Sequence, residues 1–94
     1  MLVALKIEIL AKAEEKPKME AIASAIQQGA KNVNVSVQII FTNDFGSFAG
    51  HSFNPAQTPI VFIAGKLEFY GGVPPLLAIQ KKLVELRDKA SQGF

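Results

Sequence analysis

The chain has 94 residues, 49% of them apolar, with ten basic and eight acidic side chains and a net charge of +2. That length suits one domain, residues 1–94, and the near balance of charge lacks the concentrated basic face that a nucleic-acid binder needs. There is no cysteine, so disulfides, thiolate catalysis and thiolate metal sites are excluded.

The first strand is expected over residues 3–10, where Leu5, Ile7 and Ile9 share one face and Lys6 and Glu8 point the other way. The same stretch has charges inside its apolar run and no basic start, which argues against a signal peptide and for a cytoplasmic location. Nowhere does the chain carry about 18 uninterrupted apolar residues, so no membrane association is expected. A helix is predicted over 14–28. Met19, Ile22, Ala23 and Ile26 form its apolar stripe, Pro17 is tolerated only in its first turn, and Gly29 is a plausible stop. Residues 33–41 alternate, with Val33, Val35, Val37, Ile39 and Phe41 on one face, as in a half-buried strand at a sheet edge.

Residues 42–57 lose all periodicity and gather Asn43, Asp44, Gly46, Gly50, Asn54 and Pro55, yet they also hold Phe45, Phe48 and Phe53. A loop this long with three aromatics is either packed down or functional. Two strands, 60–64 and 67–70, follow, joined at Gly65-Lys66 as a hairpin. Gly71-Gly72 breaks the chain. Pro74-Pro75 then opens a last helix whose stripe is Leu76, Ile79, Leu83, Leu86 and Ala90, widened by Leu77 and Val84. The expected order is β-α-β-(loop)-β-β-α. This is an α/β domain with a mixed four-stranded sheet, both long helices on one face, and the 42–57 segment alone screening the other.

This order, with Asn54-Pro55-Ala56-Gln57-Thr58-Pro59 leading straight into Ile60-Val61-Phe62-Ile63-Ala64-Gly65-Lys66 and then Gly71-Gly72, resembles the minimal thioredoxin or glutaredoxin fold. The small archaeal-type redox-disulfide proteins look closest, and the resemblance covers nearly the whole chain. It implies a cis Thr58–Pro59 bond facing the start of the first helix. In the family that helix start holds a Cys-x-x-Cys pair, whose thiol pKa the helix N-terminus lowers. Aligning Leu5-Lys6-Ile7-Glu8-Ile9-Leu10 on the family's first strand sets the motif at Glu14-Glu15-Lys16-Pro17. Glu14 then stands for the nucleophile and Pro17 for the resolving cysteine. Without a thiol, the family's disulfide chemistry is out of reach for this chain alone.

Other constellations are thin. His51 is the single histidine, and a triad with Ser47 or Ser52 and Asp44 would lie within one loop without a nucleophile elbow. One histidine and scattered carboxylates make no metal site, and no cofactor is called for. Gly46-x-x-x-Gly50 lacks the ending of a phosphate loop, and the 43–46 run lacks the oxygen spacing of a calcium loop. Lys81, Lys82, Arg87 and Lys89 read as a solvated face at a helix C-terminus.

Three functional expectations follow. The first is a redox-inactive domain that holds a protein or extended peptide by strand-like backbone pairing. Its groove would run between 11–17, carrying Glu14, Glu15, Lys16 and Pro17, then Gln57, Thr58 and Pro59, and finally Gly71 and Gly72. The second is a homodimer, formed through a thinly covered sheet face near Phe45, Phe48 and Phe53 or through the 33–41 edge strand. The third is an accessory that docks a thiol partner or glutathione for chemistry done elsewhere. Phe45, Phe48, Phe53 and Tyr70 would otherwise cap the second face of the sheet.

Overall fold

The central strand of the sheet, β1 (Leu5–Leu10), has partners on both sides in a computed structural model of the chain that describes residues 4–48, 50 and 53–92, the last three by backbone alone. On one side it runs parallel to β2 (Val37–Thr42), with Leu5 opposite Val37 and Leu10 opposite Thr42. On the other it runs antiparallel to β3 (Ile60–Ile63), which pairs antiparallel with β4 (Lys66–Tyr70). The strand order is β2-β1-β3-β4. With the helices α1 (Lys16–Asn32) and α2 (Leu76–Gln92), this is the mixed α/β architecture expected from the sequence, consistent with a minimal thioredoxin-like layout.

One face of the sheet carries both helices. Leu5, Ile7 and Ile9 of β1 and Val61 and Ile63 of β3 meet Met19, Ile22 and Ile26 of α1 and Ile79 and Leu83 of α2 in one buried cluster. The spacing of Met19, Ile22, Ala23, Ile26, Gly29 and Ala30 keeps one stripe of α1 buried, as a 3.6-residue period requires. The second face is closed by Phe45, Phe48 and Phe53, from the stretch that follows β2. Phe48 is buried there with Leu10, Ile60 and Phe62, and Phe45, Phe53 and Leu67 pack around them. The Phe48 and Phe62 rings stack at 4.5 Å, and Phe53 meets Phe62 edge-on at 6.3 Å. Three of the four aromatics expected to cap this face do so; Tyr70 is 57% exposed at the end of β4 and does not. The face considered for dimerisation is therefore covered by the chain's own loop.

Several boundaries differ from the sequence reading. Helix α1 does not stop at Gly29. It continues to Asn32, because Gly29 lies where α2 crosses: a Cβ there would stand 2.9 Å from Ile79 Cγ2. The stop is a Schellman motif. Asn34 takes a left-handed φ of 58°, Val35 N–H donates to Ala30 O at 2.9 Å, and Asn34 N–H donates to Lys31 O at 3.3 Å. Residues 33–35 are consequently absorbed in capping, Ser36 O accepts the Leu5 N–H at 2.9 Å, and β2 begins at Val37 rather than Val33. The β3–β4 turn is Ala64-Gly65, one residue earlier than expected, with φ of 53° and 83°. Positive φ at both central residues is what a two-residue hairpin turn matching strand twist requires, and alanine fills one of them.

In the β3–β4 ladder the register shifts between Val61 and Phe62, so Glu68 has no partner across the strand pair. Such a bulge re-aims a side chain, and the Glu68 carboxylate reaches Lys82 Nζ on α2 at 3.3 Å. Helix α2 buries Ile79 and Leu83 and half-buries Leu86 and Val84 as expected. Leu76 and Leu77, expected in the buried stripe, instead stand 40% and 78% exposed in the first turn of α2. The expected strand start at Val3, the buried side chain of Ala90, and His51 and Ser52 fall outside what is described. No helix among the described residues is long and apolar enough to cross a membrane.

Candidate functional site

The first segment of the predicted groove follows β1. Ala11 is buried, and its N–H donates to Thr42 O at 3.1 Å, which anchors the chain as it leaves the sheet. A single 3₁₀ turn, Ala13–Glu15, then leads into α1. Glu14 lies in this turn, exposed, ahead of the α-helix rather than inside it. Lys16 is the first helical residue and Pro17 the second, where a missing N–H costs nothing, and both are exposed. Glu15 occupies the cap position, and its side chain turns back: Oε1 accepts the Lys12 N–H at 3.0 Å.

The same Glu15 oxygen accepts the Thr58 hydroxyl at 2.7 Å, across 43 residues of sequence. This bond ties the start of α1 to the second segment. There, Asn54 caps a short 3₁₀ turn, Pro55–Gln57, through its side-chain oxygen, which accepts the Ala56 N–H at 2.9 Å. Gln57 is exposed. Thr58 is 8% exposed, Pro59 is buried, and the peptide bond between them is cis. The Thr58 hydroxyl, followed by the Lys12 amide, holds the Glu15 carboxyl below the usual glutamate range, against the opposing effect of partial burial.

The third segment joins through the backbone, where Gly71 N–H donates to Pro59 O at 3.0 Å. Gly71 adopts φ of 85°, a conformation few other residues hold without strain, and nothing lies within 4 Å of where its Cβ would be. Gly72 is half-buried beside it. Open space adjoins this segment: a cleft of about 410 Å³ is lined by Glu68, Tyr70, Gly71, Gly72, Val73 and Pro74, among others. Pro59 itself is fully buried and does not line this cleft.

The structure thus brings Glu15, Thr58, Pro59 and Gly71 together in a chain of two hydrogen bonds. Glu14, Lys16 and Gln57 stand at its margin in solvent. Sequence reasoning did not single out Lys12, whose amide completes the Glu15 clasp, or Val73, which lines the cleft beside Tyr70 and is 52% exposed. For Lys12 no sequence signal existed. For Val73 there was one: an apolar residue between Gly71-Gly72 and Pro74-Pro75 lies in a connector that can be neither helix nor strand.

Elsewhere, Ser47 Oγ donates to Asp44 at 2.6 Å and holds that carboxyl below its usual range. This is a local loop contact. Among the described residues no three His, Cys, Asp or Glu side chains gather as a metal site. Of the C-terminal cations, Lys82 pairs with Glu68 and Glu85, and Arg87 Nη1 donates to Val33 O at 3.0 Å while its Nε pairs with Asp88. The chain matches no protein-family model and no curated protein.

Proposed function

We propose that this chain is a redox-inactive thioredoxin-like domain that works by holding an extended segment of a protein partner beside the Thr58–Pro59 loop. What carries the reading is the bond from the Thr58 hydroxyl to Glu15, because it joins the entry of α1 to the loop before β3 without any thiol. Two segments that a binding groove needs side by side are clasped in one place, and Gly71 adds the third through Pro59.

In this reading the backbone around Thr58 offers strand-like hydrogen bonds to the partner. Pro59 shapes the loop, and the open cleft along 70–74 receives partner side chains against Tyr70 and Val73. Glu14 and Glu15, at the positive end of α1, bias the site toward basic segments. Glu15 has its carboxylate engaged inside the clasp, so Glu14 is the freer anion for that purpose.

The test is titration of the isotope-labelled chain with extended peptides of varied charge, followed by amide chemical shifts. Perturbations are expected over residues 11–17, 57–59 and 70–73, stronger for lysine- and arginine-bearing peptides than for acidic ones. Shifts that never map to those three segments would sink the reading.

A further inference from the structure

The two edges of the sheet are defended unequally. Strand β4 carries Lys66 and Glu68 and bears the bulge in its ladder with β3. Both devices discourage a further strand from pairing there. Strand β2 has neither. Its six residues, Val-Gln-Ile-Ile-Phe-Thr, hold no charge, no proline and no bulge, and β1 is its one strand neighbour among the described residues. Phe41 on this strand is 47% exposed. An outer row of backbone N–H and C=O groups beside an uncharged apolar sequence is a template for another strand.

We propose that β2 pairs antiparallel with β2 of a second copy of the chain, joining two four-stranded sheets into one of eight strands. A two-fold axis normal to the sheet brings residues of like parity opposite each other. Centred on Ile40, it sets Ile40 against Ile40, Phe41 against Ile39 and Gln38 against Thr42. Apolar meets apolar and polar meets polar, and the exposed ring of Phe41 gains an aliphatic neighbour.

The charges at the strand's ends fit the same arrangement. Lys31 lies in the last turn of α1, six residues ahead of β2, and Asp44 lies two residues past the strand's exit. Antiparallel pairing sets the end of one copy's strand that follows the Lys31-bearing helix on the side of the other copy's Asp44-bearing end, whereas parallel pairing would set like ends together. A six-residue strand contact falls short of the roughly 1,200–2,000 Å² typical of stable complexes. The association is therefore weak and concentration-dependent. It uses the outer edge of β2 and not the Thr58–Pro59 loop, which leads into β3 on the far side of β1.

Sedimentation of the full chain from about 10 μM to about 1 mM should show a monomer–dimer equilibrium, with concentration-dependent amide shifts confined to Val37–Thr42 and its flanks. Ile40 belongs to neither buried cluster, so Ile40→Lys and Ile40→Glu should each fold. Each should also raise the dissociation constant about tenfold or more by opposing like charges at the axis. An equal mixture of the two variants should dimerise again, a result that misfolding cannot imitate. Phe41→Lys, at an exposed position, provides a second monomeric variant. A wild-type chain that stays monomeric at about 1 mM overturns the proposal. So does a dimer that survives both Ile40→Lys and Phe41→Lys.

Discussion

On one face of the sheet, two helices lay aliphatic side chains against β1 and β3 at regular spacing; on the other, an aperiodic segment carries Phe45, Phe48 and Phe53 down onto Leu10, Ile60 and Phe62. The helices satisfy their own backbone groups, so their side of the core is held by backbone and side chains together. Among the described residues of 43–54 a single short 3₁₀ turn, Phe45–Phe48, is formed, and Phe45, Phe48 and Phe53 pack against the sheet. Burial of a face therefore does not by itself set its resistance to local opening.

The largest test of this contrast is Phe62→Ala, which removes the ring that both Phe48 and Phe53 contact. It should cost roughly 3–5 kcal/mol in urea unfolding. Phe48→Ala should in addition speed hydrogen exchange across 43–48 well before it speeds exchange in α1. Equal acceleration in both regions would show that the faces open as one unit.

On the helical side, Gly29→Leu should destabilise by about 1–3 kcal/mol, since its side chain must enter the space held by Ile79. This holds even though leucine is the better helix former by roughly 0.8 kcal/mol. A neutral result would mean that α1 and α2 separate readily at their crossing.

At the junction of the two faces, Thr58→Val should cost about 1 kcal/mol by removing the hydroxyl from Glu15. Because the folded-state pKa of Glu15 is depressed, its contribution is fully present above the unfolded glutamate value, about 4.3. It is lost as pH falls through the lower folded value. Wild-type stability should therefore decline below that point more steeply than that of Thr58→Val. Parallel pH profiles would remove Thr58 as the cause of the shift.

The smallest effect is expected at the hairpin. Ala64 holds φ of 53°, so Ala64→Gly should raise the melting stability by about 0.5–1 kcal/mol.

The same contrast explains what the sequence made legible. Periods of 2 and 3.6 depend on neighbours a few residues away, so β1, the buried stripe of α1, the hairpin and the edge placement of β2 could be read directly. Gly29 could not, because a glycine that ends a helix and a glycine that admits a second helix look identical until α2 is in place. Asn34 then took over the stop that Gly29 did not supply and drew 33–35 into the cap. At the candidate site, the Thr-Pro and Gly-Gly punctuation marked the second and third segments, and the family resemblance of the first strand placed the first. The clasp between Glu15 and Thr58 was not legible, since a side-chain bond across 43 residues leaves no periodic trace. Leu77 shows the opposite error: a leucine at helical spacing was assigned to the core and instead stands in solvent.

The placement of Tyr70 has a practical consequence for anyone working with the chain in solution. With no tryptophan and a single tyrosine, nearly all ultraviolet emission comes from one phenol, which is already wet in the native state. Fluorescence will therefore barely register melting of the aliphatic interior. The same phenol lines the cleft beside Gly71 and Gly72, so quenching or a spectral shift on titration would report occupancy of that cleft without any added label.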